Sequence, residues 1–165
     1  MIIDIIYINY KTQKKLFNNF LKLKNKYYFF SIFKLNLNLY IMRILLAEDN
    51  PLNQRLIQIM FKKLQHDIIL AENGLIAVEK FQNDRFDLIL MDIMMPEMNG
   101  IDATKNIRQI EKENNLEKTP IIALTGNDRY ENDCYEAGMC FFMTKPFQIN
   151  IFHEIVDKIR QYKNI

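Results

Sequence analysis

The 165 residues, 49% apolar and 25% charged, suit one globular domain or one domain with an appendage, and exclude a disordered or fibrous chain. Cys134 and Cys140 form no C-x-x-C pair and lie far from His66 and His153, a spacing that does not suit zinc and reads as two reduced thiols of a cytoplasmic protein. The net charge of +2 conceals two unlike segments, since residues 1–41 sum to +6 and residues 42–165 to −4.

Residues 1–41 hold seven lysines, one acid (Asp4) and no Gly or Pro, and thirty of them are Ile, Lys, Asn, Phe or Tyr. Codons for those five types are AT-rich, so nucleotide bias explains the composition as well as a selected fold does. An acid at Asp4 and the lack of a basic start exclude a secretory signal. Lysine or asparagine interrupts every apolar run short of the roughly 18 residues that read as a membrane span. Leu16, Phe17, Phe20, Leu21 and Leu23 share a broad helical face with lysines around it, the pattern of a basic amphipathic helix on an anionic membrane. A loosely ordered extension, or upstream sequence joined to a gene that begins at Met42, is preferred to that reading.

From Met42 the pattern becomes regular. Residues 43–47 form a short apolar run, as expected of a strand buried on both faces of a parallel sheet. Glu48, Asp49 and Asn50 precede Pro51, a cap followed by proline at the first helical position. Leu52, Leu56, Ile59, Met60 and Leu64 then predict a helix of about four turns. A second strand is predicted at 67–71, and Asn73-Gly74 opens a helix through Ala77, Val78 and Phe81. The third strand is expected at 86–91 with Asp92 at its carboxyl end, then a loop over 94–100 and a helix over 101–113. The fourth strand is expected at 119–124, followed by Thr125-Gly126 and a polar helix over 127–137 that Gly138 stops. Residues 140–143 make the fifth strand, Thr144-Lys145-Pro146 its exit, and 148–162 the last helix.

Five strands alternating with five helices specify an α/β parallel sheet with right-handed crossovers. Ligands of such open sheets bind at the carboxyl ends of the strands, which selects Glu48, Asp49, Asp92, Thr125 and Lys145. Each of these alone reads as a cap or a strand exit. Jointly they do not, because five turns would have to choose these types independently at one edge. Three converging carboxylates repel unless a cation sits among them, and oxygen ligands with retained waters suit Mg²⁺. Lys145 adds a point charge for an anionic oxygen, Thr125 a hydroxyl, and Gly126 room for a tetrahedral group. The set suits phosphoryl transfer in which a carboxylate attacks phosphorus.

The segments 45–54, 91–100, 123–126 and 138–147 resemble, in order and spacing, the response-regulator receiver domain of two-component phosphorelays. Asn53-Gln54 looks most like receivers of hybrid histidine kinases. The resemblance implies a flavodoxin-like (βα)5 doubly wound sheet of strand order 2-1-3-4-5 over residues 42–165, with 1–41 as an N-terminal extension. It implies that Asp92 accepts a phosphoryl group from a phosphohistidine, and that Glu48, Asp49, Asp92 and the Met94 backbone carbonyl serve Mg²⁺. It further implies that Thr125 and Lys145 sense the phosphate, Phe142 is the switch aromatic, Met94 and Asn127 tune dephosphorylation, and Lys145-Pro146 is a cis peptide. Such a domain catalyses its own Mg²⁺-dependent transfer and dephosphorylation without being a conventional turnover enzyme. Cys140 and Phe141 depart from the family pattern, where acids are common, and read as a partner surface in preference to extra core contact.

The expected protein is a cytoplasmic receiver, free-standing or the C-terminal piece of a hybrid kinase, whose partner is a histidine kinase or histidine phosphotransfer protein. The rival from another class is a non-phosphorylated, receiver-like interaction module, against which the intact acidic set counts. A phosphatase of the aspartyl-phosphate type would want a carboxylate where Met94 stands. No nucleic-acid partner is expected, because the basic segment is confined to the extension.

Overall fold

The computed structural model describes residues 41–163. The extension over 1–40, with its amphipathic stretch and the membrane contact weighed for it, lies outside the described residues.

Five strands form one parallel sheet in the order β2-β1-β3-β4-β5: β1 is Arg43–Ala47, β2 Asp67–Ala71, β3 Leu88–Asp92, β4 Ile121–Thr125 and β5 Phe141–Thr144. The helices are α1 (Pro51–Lys63), α2 (Gly74–Asn83), α3 (Gly100–Glu113), α4 (Glu131–Ala137) and α5 (Ile149–Lys163). Successive residues of the sheet point to opposite faces. Leu45, Ile89, Met91 and Ala123 therefore pack with Ala77, Phe81, Ala103 and Ile107 of α2 and α3. Ile44, Leu46, Leu88, Leu90, Ile122 and Leu124 pack with Ile57 and Phe61 of α1 and Phe152 and Val156 of α5. The central strands β1, β3 and β4 are covered on both sides, which is why they read as unbroken apolar runs.

Asparagine starts three of the helices. Asn50 Oδ1 accepts from the N–H of Leu52 and Asn53, Asn73 Oδ1 from Ile76, and Asn99 Oδ1 from Asp102, each satisfying donors that the first helical turn leaves open. Gly138 ends α4 at φ +99°, a left-handed conformation that a side chain would strain.

The structure differs from expectation in three places. The apolar positions that announce α1 are largely not its buried side: Leu52 is 80% exposed and Leu56 and Ile59 are each 44% exposed, while Ile57 and Phe61 enter the core. Phe61 sets this orientation by packing edge-on against Phe152 at 4.8 Å and tilted against Phe147 at 5.4 Å, contacts worth about 0.5–1.5 kcal/mol each beyond burial. The polar helix after β4 begins as a 3-10 turn over Asp128–Tyr130, and α4 itself has no side-chain cap. Phe141 packs partly against the α1–α5 side of the core, and the exposed Cys140 donates its thiol to the Ile121 carbonyl. The core-contact reading of Phe141 thus has direct support.

Candidate functional site

The carboxyl ends of the strands carry the site. Glu48 follows β1 and is fully buried, and Asp49 beside it is exposed. Asp92 is the last residue of β3 and is buried among the central strands. Carboxylate oxygens of Glu48, Asp49 and Asp92 all lie within 4.8 Å of one another. Thr125 closes β4, and the Lys145 main-chain N–H donates to its carbonyl at 2.7 Å, bringing the ends of β4 and β5 together. The Lys145-Pro146 peptide is cis.

Lys145 is placed between two carboxylates. Its Nζ donates to Asp92 Oδ2 at 2.6 Å and stands 2.7 Å from Glu48 Oε2, an ion pair by distance whose approach angle is not that of a hydrogen bond. Two partly countered charges in a buried site shift both groups. Burial pushes the Asp92 carboxyl above its ordinary value; Lys145 and the Met94 N–H oppose this and the Glu48 charge adds to it. Burial alone would lower Lys145, but its contacts with Asp92 and Glu48 outweigh burial and hold it above the usual lysine value. One cation among three carboxylates leaves a net negative cluster with an open, exposed member. That donor set of hard oxygens fits a divalent cation such as Mg²⁺.

Met94 adjoins this centre, and Thr125 and Phe142 stand on β4 and β5. Met94 donates its N–H to Asp92 Oδ1 at 3.2 Å, and its side chain is 63% exposed. The buried Thr125 hydroxyl is engaged with its own loop, accepting from the Asn127 N–H at 3.1 Å and donating to the Asn127 carbonyl at 3.2 Å. Phe142 is half-buried against the α2–α4 side of the core.

Sequence reasoning gave Asn53 and Gln54 no part in the site. Asn53 Nδ2 donates to Glu48 Oε1 at 2.9 Å, and Gln54 Nε2 donates to the Glu48 carbonyl at 2.6 Å. The available signal was their place in the first turn of α1, where side chains reach back to the preceding loop.

A family model described as "Response regulator receiver domain" matches residues 44–157. "Hybrid signal transduction histidine kinase A" of Dictyostelium discoideum is 36% identical over 125 residues, which cover 74% of this chain and 6% of that kinase. The chain thus spans a small fraction of the length of the curated relatives it matches. Among solved structures, the receiver domain of sensor histidine kinase PA1611 from Pseudomonas aeruginosa PAO1 is 37% identical, with TM-score 0.65 over 72% of this chain and 96% of that one. Its crystal structure has a magnesium ion coordinated in the active site cleft. The co-crystal structure of the Saccharomyces cerevisiae histidine phosphotransfer signalling protein Ypd1 with the receiver domain of its downstream response regulator Ssk1 also matches. The identity there is 29% and the TM-score 0.63, over 73% of this chain and 87% of that one.

Proposed function

The chain belongs to the response regulator receiver domain family, and from that premise we propose that it is a phosphorelay receiver that takes a phosphoryl group from a phosphohistidine onto Asp92. The observation that carries this reading is the placement of Lys145 between Asp92 and Glu48, beside the exposed carboxylate of Asp49. An ammonium 2.6 Å from the acceptor oxygen will meet any anionic group that bonds to Asp92.

In the step proposed, an Asp92 carboxylate oxygen bonds to phosphorus as the P–N bond of the donor breaks, and the imidazole leaves with that electron pair. Charge on the phosphoryl oxygens faces the Lys145 ammonium. We assign Mg²⁺ to Glu48, Asp49, Asp92 and the Met94 carbonyl; when bound it supplies positive charge for those same oxygens. Thr125 and Phe142 then report the modification, as the Thr125 hydroxyl leaves Asn127 for the phosphate and Phe142 follows into the space it vacates.

The donor on this reading is a histidine kinase or a histidine phosphotransfer protein, in the cytoplasm. Residues 42–165 are the receiver and 1–41 an extension to it. No helix among the described residues is long and apolar enough to cross a membrane.

The test is acyl-phosphate mass after incubation with phosphoramidate or acetyl phosphate and Mg²⁺. The native chain is expected to gain one phosphoryl group and Asp92→Asn none, because the amide keeps the shape but is no nucleophile. A native chain that gains none under saturating donor would leave the interaction-module reading in its place.

A further inference from the structure

The phosphoryl chemistry leaves Asn53 and Gln54 without a task, although both reach into the site from α1. We propose that Asn53 is a positioning residue for Lys145, acting through Glu48; the inference rests on the phosphoacceptor reading of Asp92.

A fully buried carboxylate is retained as an anion only when its oxygens are satisfied, and Glu48 is fully buried. Its Oε1 accepts from Asn53 Nδ2 at 2.9 Å and, more weakly, from the Asn50 N–H at 3.3 Å. Oε2 is thereby left facing Lys145 at 2.7 Å. The Glu48 main chain is fixed as well, since its N–H donates to the Ala71 carbonyl at 3.0 Å and its carbonyl accepts from Gln54 Nε2 at 2.6 Å. A carboxylate pinned at both backbone groups and at one oxygen has one direction left for the other.

Lysine needs such a partner. Its ammonium rides on a four-carbon stem with three rotatable donors, and a single contact with Asp92 would leave it several placements. Contacts of 2.6 and 2.7 Å to two separately anchored carboxylates define one placement over the acceptor. Asp49 contrasts with Glu48: it is exposed and makes no hydrogen bond or ion pair among the described residues. The two adjacent acids therefore divide their work. Asp49 is free of protein partners among the described residues, and Asn53 turns Oε2 of Glu48 toward the lysine.

The experiment uses the full chain with Asn53→Leu, which keeps the branching at Cγ and removes the donor, and with Asn53→Ala as a second variant should the first not fold. Three readings separate positioning from mere structure. The ¹H–¹⁵N signal of the Lys145 ammonium should shift and broaden in the variant. Phosphorylation by phosphoramidate at saturating Mg²⁺ should slow by about tenfold, as expected for loss of one charge-assisted hydrogen bond at the site. In a Glu48→Gln background the same substitution should add no further slowing, because the two act as one unit. An unmoved Lys145 signal, or an equal slowing by Asn53→Leu with and without Glu48→Gln, would overturn the proposal. Absence of any phosphorylation in the native chain would instead sink the reading of Asp92, and the Lys145 signal would still judge Asn53.

Discussion

A methyl group on Gly100 would lie 2.0 Å from the carbonyl oxygen of Asp92. The first residue of α3 is thus packed directly on the backbone of Asp92, and its N–H donates to the Ile93 carbonyl at 3.0 Å. The contact is with backbone, which cannot swing aside as a side chain can. Gly100→Ala is therefore expected to cost about 1–3 kcal/mol of stability, in the range of overpacked cores. In the fraction that folds, Asp92 should accept phosphate more slowly. Urea denaturation and acyl-phosphate mass check the two effects, and a variant with native stability would contradict the packing argument.

Mg²⁺ binding should depend most on Asp49, the acid with no protein partner among the described residues. Asp49→Ala removes a ligand oxygen and a unit of negative charge from a cluster whose other acids already share Lys145. Calorimetric titration of the unphosphorylated protein is expected to show weak binding in the native chain and none in the variant. Unchanged binding would place the metal elsewhere.

Acceptance and response should separate at Lys145. Lys145→Ala leaves the Asp92 nucleophile and Asp49 in place, so some phosphoryl group should still be gained from acetyl phosphate. The cation that meets the phosphate is gone, and NMR shifts near Phe142 should stay at their unphosphorylated positions. A normal response in this variant would remove the lysine from the switch and leave the acceptor assignment intact.

The lifetime of the phosphoryl group should be long. The exposed Met94 side chain beside Asp92 cannot orient attacking water, and Asn127 has its main chain tied to the Thr125 hydroxyl. Met94→Asn is expected to change the decay rate by about tenfold, the size of one oriented hydrogen bond to the reacting group. Equal half-lives in the native chain and in Met94 and Asn127 variants would remove both residues from rate control.

Stability should fall in mild acid through His66. Its Nδ1 accepts from the Met42 N–H at 3.2 Å, and burial, then the charges of Arg160 and His153, hold its pKa below the ordinary 6.5. The unfolded chain therefore binds a proton more readily than the folded one. The contribution is complete above the unfolded value and is lost progressively as pH falls below it. Denaturation midpoints between roughly pH 7.5 and 5.5 should drop in the native chain and flatten in His66→Gln, which keeps an acceptor but does not titrate. The same slope in both chains would exclude His66 as its source.

How much of this was legible beforehand depends on whether a signal is local. Short apolar runs, asparagine caps and the glycine stop at Gly138 are properties of a few consecutive residues, and they located nine of the ten strands and helices to within about two residues, with α4 starting four residues later than expected, behind a 3-10 turn. The topology rule then put Glu48, Asp49, Asp92, Thr125 and Lys145 on one edge, since each ends a strand or follows one. Side-chain partners are not local in this sense. That Lys145 would stand between Glu48 and Asp92, residues 97 and 53 positions away, needed the register of the strands.

Composition and periodicity by themselves determined that residues 42–165 would alternate strand and helix and gather their acids where the strands end. Only the tertiary structure decided which side of α1 faces inward. Apolar residues occupy more than one side of that helix, so its own sequence permits Leu52, Leu56 and Ile59 to be buried or exposed. The choice falls to Phe61, because Phe147 and Phe152 offer it a close-packed aromatic site that no window within α1 contains. The same rotation brings Asn53 round to Glu48, so that aromatic packing on α1 sets contacts made at the carboxyl ends of the strands.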